Sequence, residues 1–311
     1  MLNKTIRILN FDDSLIRQQN LISRYQTEII DLKDITGKAR LWMDDKTKRG
    51  IEERIRCSAK DSITFIGSGD FHHISHLLIN QFEEPLSIII FDFHPDWETL
   101  PPRNGCGSWV SRTLENRNIV KCILIGVSSC DISSWNIQRG NIASLKDDRL
   151  QMYPYAHKPS LVFFRRVPQN ASFKLERGLL YTKIYWDALQ DKNLTDFFQS
   201  LFKSMSTKRV YLSIDKDCLK KEYALTNWEE GMFSLDELLL ILRLIKENFE
   251  IAGVDITGDY SKISVSGRLK ALCSRLDHPK DIAAAKMPES IITAVNEDTN
   301  LKILEVLNPQ R

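Results

Sequence analysis

Three short strings each close an apolar run: GSGDFHH (67–73) after SITFI, FDFHPDWE (91–98) after SIIIF, and SIDKDCL (213–219) after RVYL. Each run reads as a buried strand, and strands that alternate with helices along the chain constrain it to a mainly parallel sheet covered on both faces. In such sheets ligands gather beyond the carboxyl ends of the strands. The three strings place His72, Asp92, His94, Asp96, Asp215 and Asp217 at those ends. Four carboxylates and two imidazoles exceed what one structural zinc takes, since that ion prefers thiolates and closes at four ligands. They suit two hard divalent ions sharing bridging carboxylates, with positions left open for water.

Each string has a blander reading. An Asp after a buried strand often caps the next helix. Asp92, His94 and Asp96, however, alternate on an extended segment, where residues two apart point the same way and converge. SIDKDCL repeats the pattern with Asp215 and Asp217. In GSGDFHH the glycines allow a tight strand-to-helix turn. One ligand is expected from the pair His72 and His73, and His72 is taken as that ligand. Asp70 is expected to support an imidazole or the turn amides.

Apolar runs predict strands near 5–10, 62–66, 87–93, 121–127, 161–164, 178–184, 209–214 and 250–256. Amphipathic stretches predict helices near 71–82, 107–116, 192–206, 234–248 and 280–296. Ser234 and Glu237 form a capping-box pattern ahead of one of them. Residues 128–150 and 165–178 read as loops that shape the mouth of a site. The expected fold is a single three-layer α/β/α domain spanning 1–311. Residues 33–60 are dense in charge of both signs and read as a solvated helix and loop, with a peptide-docking surface as the sharper alternative.

A net charge of +2 gives no electrostatic case for nucleic acid or a membrane surface. No transmembrane run or signal-type segment is visible, so a cytoplasmic location is expected. The six cysteines (57, 106, 122, 130, 218 and 273) show no paired spacing and read as reduced thiols.

The ordered trio of strings resembles the signatures of the arginase or ureohydrolase superfamily, which run G-G-D-H, D-A-H-x-D and S-x-D-x-D on successive strand ends. The likeness spans about residues 62–260, with Phe71 inserted in the first string. The resemblance implies a parallel-sheet α/β/α fold and two Mn2+ ions per chain. His72, Asp92, Asp96 and Asp215 would hold one ion; His94, Asp92, Asp215 and Asp217 would hold the other. Two such ions lower the pKa of a shared water to around 7, which makes a nucleophile for a planar, electron-poor carbon. Asp96 would hold that nucleophile by a hydrogen bond. A guanidinium substrate would yield urea.

The chain departs from the family in two places. Family members that cleave free arginine carry S-G-N-x-H-G after the second signature, where this chain has PPRNGCGSWV (101–110) and Cys106 stands in place of the proton-shuttling His. The family Glu that holds the guanidinium is replaced by Gly258. Asp259, or Glu229 in TNWEEG (226–231), is expected to supply the anion, with Glu230 beside it. The candidate catalytic residues are therefore Asp96, Cys106, Glu229 and Asp259. The mouth string, small residues with one aromatic, is most similar to that of the peptide arginases. The expected substrate is arginine within a peptide, or another guanidino compound, rather than free arginine.

Two other classes fit part of the pattern. HPDWE also resembles the H-P-D-D-E string of zinc-dependent sugar-amide deacetylases, but Trp97 replaces the second Asp and no H-x-x-H follows. An amide hydrolase of the same superfamily would use the same ions. A non-catalytic binding module would explain the altered strings, yet four packed carboxylates without a cation would be strongly destabilising.

Overall fold

The computed structural model describes residues 4–56, 60, 62–278 and 284–309; Cys57 and the start of the helix expected at 280–296 lie outside the described residues. Eight strands form one sheet in which every pairing is parallel. They are β1 (Thr5–Asn10), β2 (Thr27–Asp31), β3 (Ser62–Gly67), β4 (Leu86–Phe91), β5 (Ile119–Ile125), β6 (Leu150–Tyr153), β10 (Arg209–Asp215) and β11 (Glu250–Thr257). A separate antiparallel sheet holds β7 (Ser160–Phe163), β8 (Phe173–Arg177) and β9 (Tyr181–Trp186) in the order β7-β9-β8.

The main sheet runs β2-β1-β3-β11-β10-β4-β5-β6. Strands β3 and β4 follow each other in the chain, yet β11 and β10 lie between them. The chain thus reverses its direction of winding at the centre, which opens a crevice above the four central strand ends. Those four ends carry the three sequence strings and the stretch after β11.

Strand residues alternate between two cores, as burial on both faces requires. Ile88 and Ile90 of β4 join one core, and Ile89 and Phe91 join the other. On the first side lie α3 (Asp45–Arg54), α4 (Ile74–Ile79) and α5 (Trp109–Thr113), through Ile51, Leu77, Trp109 and Val110. On the second lie α1 (Gln19–Arg24), α6 (Leu194–Lys203), α7 (Leu235–Asn248) and α9 (Glu289–Leu307), through Leu21, Phe198, Leu242 and Ile303. This is the expected three-layer arrangement. Two helices, α2 (Thr36–Ala39) and α8 (Arg268–Asp277), border the crevice. The capping box at Ser234 and Glu237 is formed in full.

Several elements differ from expectation. Residues 128–150 are a run of short turns, but 165–178 contains β8, and β9 begins three residues later than the strand read at 178–184. β2 was missed because TEIID, an edge strand, is largely solvent-exposed and carries no apolar run. α8 was missed because its buried face is Lys270 and Ser274 while Leu269, Leu272 and Leu276 face solvent. In the charged segment 33–60, Asp34 and Arg54 form an exposed bidentate pair, as a solvated reading expects. Arg40 does not: it is fully buried between Asp70, Asp12 and Ser261.

Candidate metal centre

β3 delivers the first ligand. Its Gly67 turns the chain, at φ 97°, into the short helix that leads to His72. His72 Nδ1 lies 3.1 Å from Asp92 Oδ2, 3.3 Å from Asp96 Oδ2 and 3.4 Å from Asp215 Oδ2. Its other nitrogen, Nε2, sits 2.9 Å from Ser213 Oγ, which donates to Asp255 Oδ1 at 2.7 Å. Tyr211 donates to the second oxygen of Asp255 at 2.7 Å. The relay holds the proton of a neutral His72 on Nε2 and turns a bare Nδ1 toward the carboxylates, the orientation a ligating imidazole needs.

β4 delivers the second string. The amide of His94 donates to Asp92 Oδ1 at 2.7 Å, leaving Oδ2 for the crevice. Asp96 takes a left-handed backbone, φ 45°, which a short polar side chain tolerates better than most. Trp109 Nε1 donates to Asp96 Oδ2 at 2.7 Å, and its ring packs 4.7 Å from that of His72. His94 Nδ1 lies 2.9 Å from Asp217 Oδ2, and Nε2 lies 3.2 Å from Glu229 Oε2. At the end of β10, amides again take one oxygen of each carboxylate. Phe93 donates to Asp217 Oδ1 at 3.0 Å, and Asp217 donates to Asp215 Oδ1 at 3.1 Å.

The donors form two groups, His72–Asp92–Asp96 and Asp92–His94–Asp217, which share Asp92. Asp215 stands beside the first. Burial, with the neighbouring Asp217 and Asp96, pushes the Asp92 carboxyl well above its usual range. Burial and Asp217 raise Asp215 as well. Burial alone would hold His72 down, but the close carboxylates of Asp92, Asp96 and Asp215 outweigh it and carry the free imidazole well above the ordinary histidine value; a cation among them would remove that pull. Asp92 Oδ2 and His72 Nδ1 are buried without a well-formed hydrogen bond. Unsatisfied buried atoms of this kind call for a partner. Oxygen and imidazole donors without a thiolate fit hard or borderline divalent ions such as Mn2+.

Asp92, His94, Asp96, Asp215 and Asp217 floor a cavity of about 330 Å3, bordered by Trp42, Cys106, Trp228 and Glu229 among others. Cys106 thus reaches the cavity. Burial, then Asp96 and Asp70, push its thiol well above the usual range. Glu229 is held near His94 at the mouth. Burial raises its carboxyl, but the His94 hydrogen bond outweighs that and leaves it below its usual value.

Other expected residues lie elsewhere. Asp259, expected to accept a guanidinium, is buried 3.0 Å from Lys216 Nζ and accepts from Gln18 Nε2 at 2.6 Å, away from this cavity. A buried ammonium needs a counter-charge, and Lys216 takes Asp259 as its own. Gly258 adopts φ 92°, and a Cβ there would stand 2.6 Å from Asp215 Oδ1, so no longer side chain fits. Glu230 pairs with Lys221 on the surface. Asp70 serves Arg40 and His278 rather than His72, at 2.6 Å and 2.9 Å. His73 is buried, pushed to about 3 by burial and by the Lys270 and His72 charges, and belongs to neither donor group. Sequence reasoning missed Glu98, Asp131, Arg139 and Asp277 on the cavity wall. Only Glu98 stood inside a string that could have flagged it.

No family model matches the chain. An uncharacterized protein of Thermotoga maritima is 25% identical over 259 residues, which is 83% of this chain and 81% of that protein. Among solved structures, formimidoylglutamase of Bacillus subtilis subsp. subtilis str. 168 is similar at TM-score 0.60, with 14% identity over 98% of this chain and 86% of that one. Arginase of Bacillus subtilis gives TM-score 0.59, with 13% identity over 100% and 99%. Proclavaminate amidino hydrolase of Streptomyces clavuligerus gives 0.52, with 12% identity over 96% and 92%. Over nearly its whole length, the chain has the fold of these arginase and amidino hydrolase structures.

Proposed function

We propose that the chain is a binuclear metallohydrolase of C–N bonds outside the peptide backbone, acting on a guanidinium and releasing urea. The observation that carries this reading is the pair of donor groups sharing Asp92, with Asp92 Oδ2 on the floor of an acidic cavity and His72 Nδ1 buried beside it, both without a well-formed hydrogen bond. His72, Asp92, Asp96 and Asp215 would hold one Mn2+; His94, Asp92, Asp215 and Asp217 would hold the other. When bound, such a pair supplies a water acidified to around pKa 7 and polarises the atom under attack.

The chain's own residues do the rest. Asp96, fixed by the Trp109 indole, is placed to accept a hydrogen bond from the nucleophilic water. Glu229 is the acid available at the mouth to hold the guanidinium, a part for which Asp259 is turned the wrong way. Trp42 and Trp228 border the space that a planar cation would enter. Cys106 stands on the cavity wall where the family His would be, and its thiol borders the space the departing amine would leave through. The fold shared with arginase and amidino hydrolase structures supports the same reaction class.

The substrate we infer is arginine within a peptide, leaving ornithine in the chain. Arg139 is the single Lys or Arg among the described cavity-lining residues, and it lies 3.3 Å from Glu98 Oε1. A free α-carboxylate therefore finds no unpaired cation to receive it, whereas a backbone amide needs none. Incubating Mn-loaded protein with acetyl-Gly-Arg-Gly-amide and, separately, with free arginine tests the reading by urea release and peptide mass. Efficient turnover of free arginine with none on the peptide refutes the peptide assignment.

A further inference from the structure

Two divalent ions would balance the four aspartates at the cavity floor, Asp92, Asp96, Asp215 and Asp217. The wall adds four more acids, Glu98, Asp131, Glu229 and Asp277, against the single arginine Arg139. Two of these are already engaged: Glu98 with Arg139 at 3.3 Å, and Glu229 with His94 Nε2 at 3.2 Å. Asp131 accepts a hydrogen bond from Ser129 Oγ at 2.8 Å, and among the described residues neither Asp131 nor Asp277 is paired with a lysine, arginine or histidine. The two come from separate parts of the chain, the turn after β5 and the end of α8, and line one cavity. That cavity is independently marked as a ligand site by Asp92 Oδ2, buried and without a hydrogen-bond partner on its floor.

A guanidinium brings one positive charge, which Glu229 satisfies. Asp131 and Asp277 then have no direct ion-pair partner among the described residues, although the His278 and Arg139 charges lie near Asp277, and a second substrate cation would meet an open acid at each. We propose that Asp131 and Asp277 are specificity-determining residues that select peptides with a second positive charge beside the target arginine. The inference rests on the guanidine-hydrolase reading and narrows its substrate class to basic peptide segments. Both acids are partly open to solvent, so each contributes what a mouth charge contributes, about three- to tenfold in affinity or rate, with strong screening by salt.

The test uses three matched peptides, acetyl-Lys-Arg-Lys-amide, acetyl-Gln-Arg-Gln-amide and acetyl-Glu-Arg-Glu-amide, with Mn-loaded protein. Urea release gives kcat/KM, and calorimetry gives affinity. The expected order is Lys over Gln over Glu, by about fivefold or more per step at low salt, converging at 1 M salt. In Asp131→Asn, Asp277→Asn and the double variant the Lys-to-Gln ratio falls toward one. Equal use of the Lys and Gln peptides, or a ratio that survives the double substitution, overturns the proposal. Should none of the peptides release urea, the hydrolase reading fails while the binding order still decides the charge preference.

Discussion

At the residue scale the site depends on atoms that do more than one thing. Asp92 belongs to both donor groups, so Asp92→Asn is expected to release both ions and abolish turnover; elemental analysis that still finds two metals per chain would sink the assignment. His94→Ala touches one group and is expected to lower occupancy of one ion. Asp255 touches no ion. It holds Ser213, which holds His72 Nε2. Asp255→Asn disturbs that relay and is expected to weaken metal binding by about 10- to 100-fold, measured by competition with a chelator, without unfolding the chain. The candidate donors stood out in sequence because alternate positions at a strand end point the same way by backbone geometry alone. Asp259 was misread for a related reason. Adjacency to Gly258 in sequence says nothing about side-chain direction, and the buried Lys216 ammonium decided it.

At the element scale, strands were read more reliably than the edges and the inverted helix. β3, β4, β10 and β11 are buried along nearly their whole length because they occupy the centre of the sheet. β2 at the edge and α8 over the crevice carry the opposite polarity from what periodicity seeks. α8 is held by Lys270 Nζ, which donates to the carbonyls of Lys38 and Trp42 at 2.8 Å and 2.6 Å, and by His278 at Asp70. The turn after β11 is equally constrained. Gly258→Ala combines a left-handed backbone with a Cβ at 2.6 Å from Asp215. It is expected to cost about 1–3 kcal/mol in urea denaturation and to lower metal affinity together, because the residue displaced is a ligand. Full stability with loss of metal alone would separate the two effects and contradict that account.

For the whole molecule, the acid-rich floor makes the metal-free fold carry unbalanced buried carboxylates, so metal binding and folding are linked. Adding Mn2+ to chelator-treated protein is expected to raise Tm by several degrees, since saturation at 100 times Kd adds about 2.7 kcal/mol. A Tm indifferent to Mn2+ would remove the binuclear centre from this fold. The sequence by itself determined the parallel sheet and the strand ends that bear the six candidate donors, because burial pattern and strand-end periodicity are local properties of the chain. Only the tertiary structure decided which acids face the cavity. Arg40, Lys216 and Lys270 are buried cations that claim Asp70, Asp259 and backbone carbonyls for themselves. Asp131, Glu229 and Asp277 reach one cavity wall from segments far apart in the chain. Such pairings depend on how separate elements pack, and charge at a single position carries no record of the partner it will meet.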